Sequence, residues 1–145
     1  MSNKEADIEF YRTRIGIKLK NGYKFYYYYE IVEVFSDARY SVINTSDSKS
    51  YYVSTPIKLF EKRFPYIFFK YKRSGLVNLA YMVSYSNENK KTIIYLKNNN
   101  SHLISRYLRN NFYSRIQNLD ISLPCEICKT CIKRTYCPDV APFIT

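Results

Sequence analysis

The chain has 145 residues, of which 46% are apolar, and its 23 lysines and arginines outnumber 12 aspartates and glutamates, which gives a formal net charge of +11. This length predicts one domain with at most a small appendage, and the apolar content argues against wholesale disorder. No apolar run approaches the roughly 18 residues of a membrane span, and residues 1–7 lack the apolar stretch of a secretory signal, so we expect a cytoplasmic protein.

The first half of the chain predicts antiparallel strands joined by tight turns. Side-chain patterns typical of strands cover residues 8–20, 23–35, 40–44 and 51–54. Asn21-Gly22 is the strongest short hairpin signal in the chain, and residues 36–39 have the composition of a second turn. Thr55-Pro56 predicts the start of a short helix, which Pro65 ends near residue 63.

The second half predicts a three-stranded meander followed by one longer helix. The meander strands cover residues 66–72, 76–85 and 92–97. The helix covers residues 101–119, and its apolar stripe consists of Ile104, Leu108, Phe112, Ile116 and Leu119. The predicted fold is α+β, with a seven-stranded, mostly antiparallel sheet or small barrel, one amphipathic helix near the C-terminus and a cysteine-rich C-terminal knuckle. We expect a β-rich basic domain with a C-terminal helix over residues 1–120 and a cysteine-rich cluster or metal-binding tail over residues 121–145.

The positive charge is concentrated in the middle of the chain. Residues 49–115 hold 13 basic and 2 acidic side chains, whereas the remainder holds 10 of each, so the whole net charge lies in this segment. A concentrated positive field attracts polyanions, and phosphates that bind lysine or arginine release their counterions. An ordinary solvated surface has the same composition, but the regional bias favours binding to a nucleic acid.

The candidate nucleic-acid-binding surface combines these cations with nearby tyrosines. In Lys70-Tyr71-Lys72-Arg73 an aromatic ring lies among three cations at a strand end, where it could stack on an unpaired base. The sequence therefore predicts binding to single-stranded DNA or to RNA. The candidate residues are Lys70, Tyr71, Lys72, Arg73, Lys90, Lys91, Lys97, Arg106, Arg109, Tyr113 and Arg115.

All four cysteines lie within 13 residues near the C-terminus, as Cys125, Cys128, Cys131 and Cys137, with the spacing C-x2-C-x2-C-x5-C-P. Two-residue gaps let successive thiolates turn toward one centre. A [4Fe–4S] cluster, one zinc ion, and disulfides or free thiols remain as alternatives. Lys129, Lys133 and Arg134 lie between the cysteines and would offset thiolate charge.

The segment from Cys128 to Pro138 is similar to the C-terminal C-x2-C-x5-C-P element of RecB-like nucleases, including the CRISPR-associated ones, and the longer run of four cysteines resembles that of bacterial ferredoxins. This resemblance implies that Cys128, Cys131 and Cys137 hold a [4Fe–4S] cluster beside a path for single-stranded DNA. It covers about 11 residues, and the rest of the chain shows no resemblance. The chain lacks the family's upstream cysteine and acidic nuclease set, so the resemblance implies the cluster and not the nuclease activity.

The leading functional hypothesis is a nucleic-acid-binding protein with a structural cysteine-ligated centre. One alternative is a small viral or regulatory protein that binds and inhibits a host complex, such as RNA polymerase or a defence complex, in the host cytoplasm. Another is a ribonucleoprotein subunit. No catalytic residues emerge, so an enzyme is disfavoured. The abundance of Tyr, Phe, Asn, Lys and Ile is also typical of an A/T-rich genome, archaeal sources included.

Overall fold

The computed structural model describes residues 7–117, which contain eleven strands and two α-helices. The strands are β1 (Ile8–Phe10), β2 (Arg14–Leu19), β3 (Gly22–Tyr27), β4 (Ile31–Asp37), β5 (Tyr40–Thr45), β6 (Ser50–Val53), β7 (Phe68–Lys72), β8 (Gly75–Asn78), β9 (Met82–Glu88), β10 (Lys91–Leu96) and β11 (Ser101–Leu103). The helices are α1 (Ile57–Arg63) and α2 (Arg109–Gln117). Neither helix is long and apolar enough to cross a membrane.

The strands of the described residues form three antiparallel sheets. Their strand orders are β1-β2-β3, β6-β5-β4-β8-β7 and β11-β10-β9. The prediction of mostly antiparallel sheet with one helix near the C-terminal end is confirmed. The single seven-stranded sheet or barrel is wrong, because two of the predicted strands are interrupted and the chain passes to a new sheet at each interruption.

The first interruption is a 3-10 turn at Tyr28–Glu30, between β3 of one sheet and β4 of the next. The Glu30 carboxylate accepts a hydrogen bond from the backbone N–H of Tyr27 at 2.9 Å. Tyr28 is 1% exposed and its hydroxyl donates to the carbonyl oxygen of Tyr11 at 2.7 Å. The turn therefore depends on contacts across the fold, which periodicity within the strand does not reveal.

The second interruption is a 3-10 turn at Leu79–Tyr81, between β8 and β9. Asn78 immediately precedes this turn, is buried, and forms hydrogen bonds both to the turn and to the neighbouring strand. Its Oδ1 accepts from the backbone N–H of Ala80 at 3.0 Å, while its Nδ2 donates to the carbonyl oxygen of Ile31 at 2.9 Å. One buried amide thus caps the turn and ties it to β4.

The predicted hairpin at Asn21-Gly22 exists, with a register one residue earlier than expected. Leu19 pairs with Gly22, so the two loop residues are Lys20 and Asn21. Gly22 has φ of 150° and begins the return strand. The short helix predicted after Pro56 is confirmed as α1 and ends before Pro65, as expected.

The predicted helix over residues 101–119 begins later than its apolar stripe suggested. Ser101–Leu103 pairs with β10 as β11, and a 3-10 turn at Arg106–Leu108 leads into α2. The predicted stripe still faces the core at Ile104, Leu108 and Phe112, which are 3%, 6% and 0% exposed. Pairing with β10 therefore decides the conformation of residues 101–103, although their apolar spacing also fits the first turn of a helix.

Candidate nucleic-acid interface

Three hairpin turns and the start of the C-terminal helical segment meet at one end of the molecule. The backbone N–H of Ser36, in the β4–β5 hairpin, donates to the carbonyl oxygen of Ser74 in the β7–β8 turn at 2.9 Å. The N–H of Ser105 donates to the carbonyl oxygen of Tyr71 at 2.8 Å. Arg109 Nη1 donates to the carbonyl oxygen of Lys90 at 2.8 Å, which adds the β9–β10 turn. We call this assembly the basic turn end.

The basic turn end carries far more positive than negative charge. Its acidic residues are Asp37 and Glu88, both exposed. Its seven cations are Arg39, Lys72, Arg73, Lys90, Lys91, Arg106 and Arg109. All are exposed except Arg109, which is partly buried. Because several like charges converge on one surface, their fields add and favour a polyanionic partner.

The backbone of two of these turns adopts left-handed conformations at residues other than glycine. Ala38 has φ of 58° in the β4–β5 turn. Asn89 and Lys90 have φ of 53° and 64° in the β9–β10 turn. Two successive positive φ angles are typical of a type I′ hairpin turn, which reverses the chain within two residues. These tight turns place Arg39 and Lys90 at the tips of their hairpins.

Six of the predicted nucleic-acid-binding residues share the basic turn end. They are Lys72, Arg73, Lys90, Lys91, Arg106 and Arg109. They come from the β7–β8 turn, the β9–β10 turn and the segment before and within the first turn of α2. The sequence therefore grouped residues that the topology brings together from three separate stretches.

Tyr71 does not belong to this surface, although its neighbours Lys72 and Arg73 do. Its side chain is 1% exposed and its ring stacks on His102, with ring centroids 4.5 Å apart. Burial raises the pKa of the Tyr71 hydroxyl. A base cannot reach a ring buried to this extent, so Tyr71 contributes to core packing. Because side chains alternate along a strand, Tyr71 faces the core while the adjacent Lys72 faces solvent.

Arg115 and Tyr113 connect α2 to the body of the fold. Arg115 Nη1 donates to the carbonyl oxygens of Tyr66 and Phe68 at 2.5 and 2.9 Å, and its guanidinium lies 4.0 Å from the Tyr66 ring centroid. Tyr113 donates its hydroxyl proton to Asn87 Oδ1 at 2.6 Å. Both side chains are partly buried, and their polar groups have hydrogen-bond partners within the fold.

Lys70 and Lys97 lie apart from the other predicted cations. Lys70 forms an ion pair with Glu61, with Nζ and Oε1 3.6 Å apart. Lys97 follows the last residue of β10, whereas Lys91 begins that strand, so about 20 Å of strand separates them. Lys97 lines a cavity of about 460 Å³ with Lys49 and Asn98, at what we call the far end.

The sequence patterns do not identify two exposed residues of the basic turn end. Arg39 lies outside the basic segment of residues 49–115, although its position in a predicted turn was a usable signal. Tyr107 is 66% exposed and directly follows Arg106. The helix predicted over residues 101–119 includes Tyr107, so no pattern distinguishes it from the other side chains of that segment.

The predicted metal ligands Cys125, Cys128, Cys131 and Cys137 lie outside the described residues, as does the predicted tail over residues 121–145. Within residues 7–117, no group of three or more His, Cys, Asp or Glu side chains could hold a metal ion. A [4Fe–4S] cluster or zinc ion therefore stays a prediction from cysteine spacing alone.

Comparisons with known proteins agree with this architecture. A family model described as the LytTr DNA-binding domain matches residues 9–117. The chain is also similar to the solved LytTr DNA-binding domain of a Bacillus cereus protein described as a methyl-accepting/DNA response regulator. That structure is 13% identical, superposes with a TM-score of 0.65, and the match covers 73% of this chain and 98% of the other. No curated protein matches the chain.

These comparisons correct the resemblance proposed for the cysteine segment. The match over residues 9–117 identifies the part of the chain that had shown no resemblance, and it indicates no iron–sulfur nuclease. The likeness to RecB-like and CRISPR-associated nucleases and to ferredoxins is therefore wrong. It rested on a short cysteine spacing, which unrelated proteins can share. The comparisons support nucleic-acid binding, and they support neither a host complex nor a ribonucleoprotein as the partner.

Proposed function

The chain belongs to the LytTR family of DNA-binding domains, and from this membership we propose that it binds duplex DNA through the basic turn end. The observation that carries the proposal is the convergence of seven cations and only two acidic residues on adjoining turns. Hairpin tips are narrow and rigid, so they can approach the phosphates that border a groove.

The geometry favours a duplex over an unpaired strand as the DNA partner. Binding of single strands uses aromatic side chains that stack on successive bases along a positively charged groove. The ring expected to do this, Tyr71, is buried, and Tyr107 is the large exposed aromatic next to Arg106. A cluster of cations beside the Tyr107 ring suits phosphate contacts on a helix whose bases remain paired.

The choice between duplex, single strand and RNA is tested with one mixed sequence prepared in all three forms. We expect the full chain to bind the duplex at least about tenfold more tightly than the single strand or the RNA. With about four phosphate contacts, duplex affinity should fall by about 100-fold between about 50 and about 200 mM salt. Fluorescence anisotropy titrations measure both quantities. Tighter binding to the single strand or RNA, or an affinity that does not change with salt, would contradict the proposal.

We further propose that Cys125, Cys128, Cys131 and Cys137 ligate one centre, a [4Fe–4S] cluster in the first instance. Their spacing and the absence of cysteine from residues 1–124 support this. One zinc ion is the alternative centre, and disulfides are the alternative without a metal.

Metal and sulfide analysis of anaerobically purified protein distinguishes these alternatives. A [4Fe–4S] cluster gives about four iron and four sulfide per chain, whereas a zinc site gives about one zinc. In either case Cys125→Ser should lower the bound metal, because a missing thiolate opens the site. Arg39→Ala is a control that should leave the metal content unchanged. If the purified protein contains neither iron nor zinc, the proposed ligation is contradicted, and free thiols or disulfides become the remaining explanation of the cysteines.

A further inference from the structure

A fully buried carboxylate stands out in the five-stranded sheet. Glu33 lies on β4 with none of its surface exposed, at a register shift between Ile31 and Glu33 in the pairing with β5. Such an irregularity changes the direction in which a side chain points. A buried charge is tolerated only where hydrogen bonds replace the lost water.

Four side chains provide the hydrogen bonds to Glu33. Its Oε2 accepts from Asn44 Nδ2 at 2.8 Å, from Asn98 Nδ2 at 3.1 Å and from Asn100 Nδ2 at 2.5 Å. Its Oε1 contacts Nε2 of His102. Burial by itself opposes ionisation, but these hydrogen bonds outweigh it and lower the pKa of Glu33 to about 2. The carboxylate is therefore ionised throughout the physiological pH range.

The partners of Glu33 connect two different sheets. Asn44 belongs to β5 of the same sheet, whereas Asn98 and Asn100 lie in the β10–β11 turn and His102 lies on β11. The carboxylate thus holds the last strand of the described chain against the five-stranded sheet. Because β11 has only three residues, its own ladder with β10 provides few hydrogen bonds to fix its position.

The contact continues from His102 to the basic turn end. The ring of Tyr71 stacks on the ring of His102. The carbonyl oxygen of Tyr71 in turn accepts a hydrogen bond from the backbone N–H of Ser105. Ser105 directly precedes Arg106, and no side-chain hydrogen bond caps the 3-10 turn that begins there. A Cβ at Gly75 would lie 2.4 Å from the Tyr71 ring, so this glycine provides the space that the stack needs.

We propose that Glu33 and His102 are positioning residues for DNA binding, which hold β11 so that Arg106 is presented beside Lys72 and Arg73. This inference rests on the proposed function, because it assigns Arg106 a contact with DNA. A contact that is fixed before binding loses less conformational entropy when DNA arrives. Removal of the His102 imidazole takes away the link between Glu33 and the segment before Arg106, while it leaves every cation of the surface in place.

A double-mutant cycle on His102 and Arg106 tests the inference. The probe is the set of duplexes, about three helical turns long, that the wild-type chain enriches from a random pool. We expect Arg106→Ala and His102→Ala each to weaken binding by about fivefold, and the double variant to be about fivefold weaker and not about 25-fold weaker. His102→Gln keeps a donor that can reach Glu33, and it should restore most of the affinity lost in His102→Ala.

Two comparisons separate this inference from the proposed function. Far-ultraviolet circular dichroism and a thermal melt establish that each variant is folded, and His102→Gln serves as the test variant if His102→Ala does not fold. Additive losses, or unchanged binding by a folded His102 variant, overturn the positioning role while Arg106→Ala still weakens binding. Unchanged binding by Arg106→Ala removes Arg106 from the interface, and the positioning role falls with it. In that case, loss of binding on removal of the other turn-end cations would still support the proposed function.

Discussion

Replacement of Lys72, Arg73 and Arg106 by alanine in one variant is expected to weaken duplex binding by about 100-fold. Each of the three side chains is exposed at the basic turn end, and loss of one phosphate contact costs about 1 kcal/mol, so three losses give about 3 kcal/mol. The dependence of affinity on salt should become shallower by about three units of slope, because three fewer counterions are released. Titrations of one duplex at several salt concentrations measure both effects.

The matched control removes the same charge from elsewhere on the surface. Lys24, Lys49 and Lys97 are exposed, and Lys49 and Lys97 line the far-end cavity. Lys24 lies over the ring of Tyr26, whose hydroxyl donates to Asp47 in the far-end β5–β6 turn. The triple alanine variant of these lysines should bind the duplex within about threefold of wild type, since distant charges are screened beyond about 10 Å. Equal losses in both triple variants would mean that net charge, and not the basic turn end, governs binding.

Acidification from about pH 5 to about pH 2 is expected to remove about 3 kcal/mol of stability through Glu33 alone. Its pKa is about 2 in the folded chain, below its ordinary value of 4.5. A carboxyl whose pKa is lowered by folding stabilises the protein above its ordinary pKa, and this contribution disappears as the pH falls through the folded value. Each unit of difference corresponds to about 1.4 kcal/mol. Urea unfolding followed at a series of pH values measures the loss.

Two amide variants isolate the carboxylate responsible. Glu33→Gln should be less stable than wild type at neutral pH and should show a much shallower loss of stability in acid. Asp47→Asn is the control, because Asp47 also has a lowered pKa, through its hydrogen bond from Thr45, but is exposed at a turn. It should retain most of the wild-type dependence. If Glu33→Gln and wild type lose stability in parallel, the buried carboxylate does not govern acid unfolding.

Local sequence signals predicted the parts of the fold that depend on neighbouring residues. The hairpin after β2 follows from Asn21-Gly22, and α1 follows from Pro56 and Pro65, because these residues restrict their own backbone. The 3-10 turns before β4 and β9 depend on Tyr28 and Asn78, whose hydrogen bonds reach residues far along the chain. No pattern within the segment distinguishes such a turn from a continuous strand.

The composition of the proposed DNA-binding surface could be predicted from the sequence, but the arrangement of its residues could be predicted only in part. The concentration of lysine and arginine pointed to the segment that holds Lys72 and Arg106, because a basic region is a sign of nucleic-acid binding that can be read without the fold. Which cations meet depends on strand direction, which places Lys91 and Lys97 at opposite ends of β10. Whether an aromatic ring faces outward depends on burial, which placed Tyr71 in the core. The role of Glu33 required both sheets, since its donors lie 65 to 69 residues away or across β5.

The left-handed residues of the basic turn end offer a way to engineer the thermostability of the chain. Ala38 and Asn89 carry no charge, so glycine at these sites would relieve backbone strain and leave the electrostatic surface as it is. Lys90 shares the strain but contributes a cation, so the same replacement there would trade affinity for stability. Directed evolution for heat resistance alone would therefore be expected to accept glycine at both of these adjacent positions, although only the change at Lys90 removes a cation from the surface.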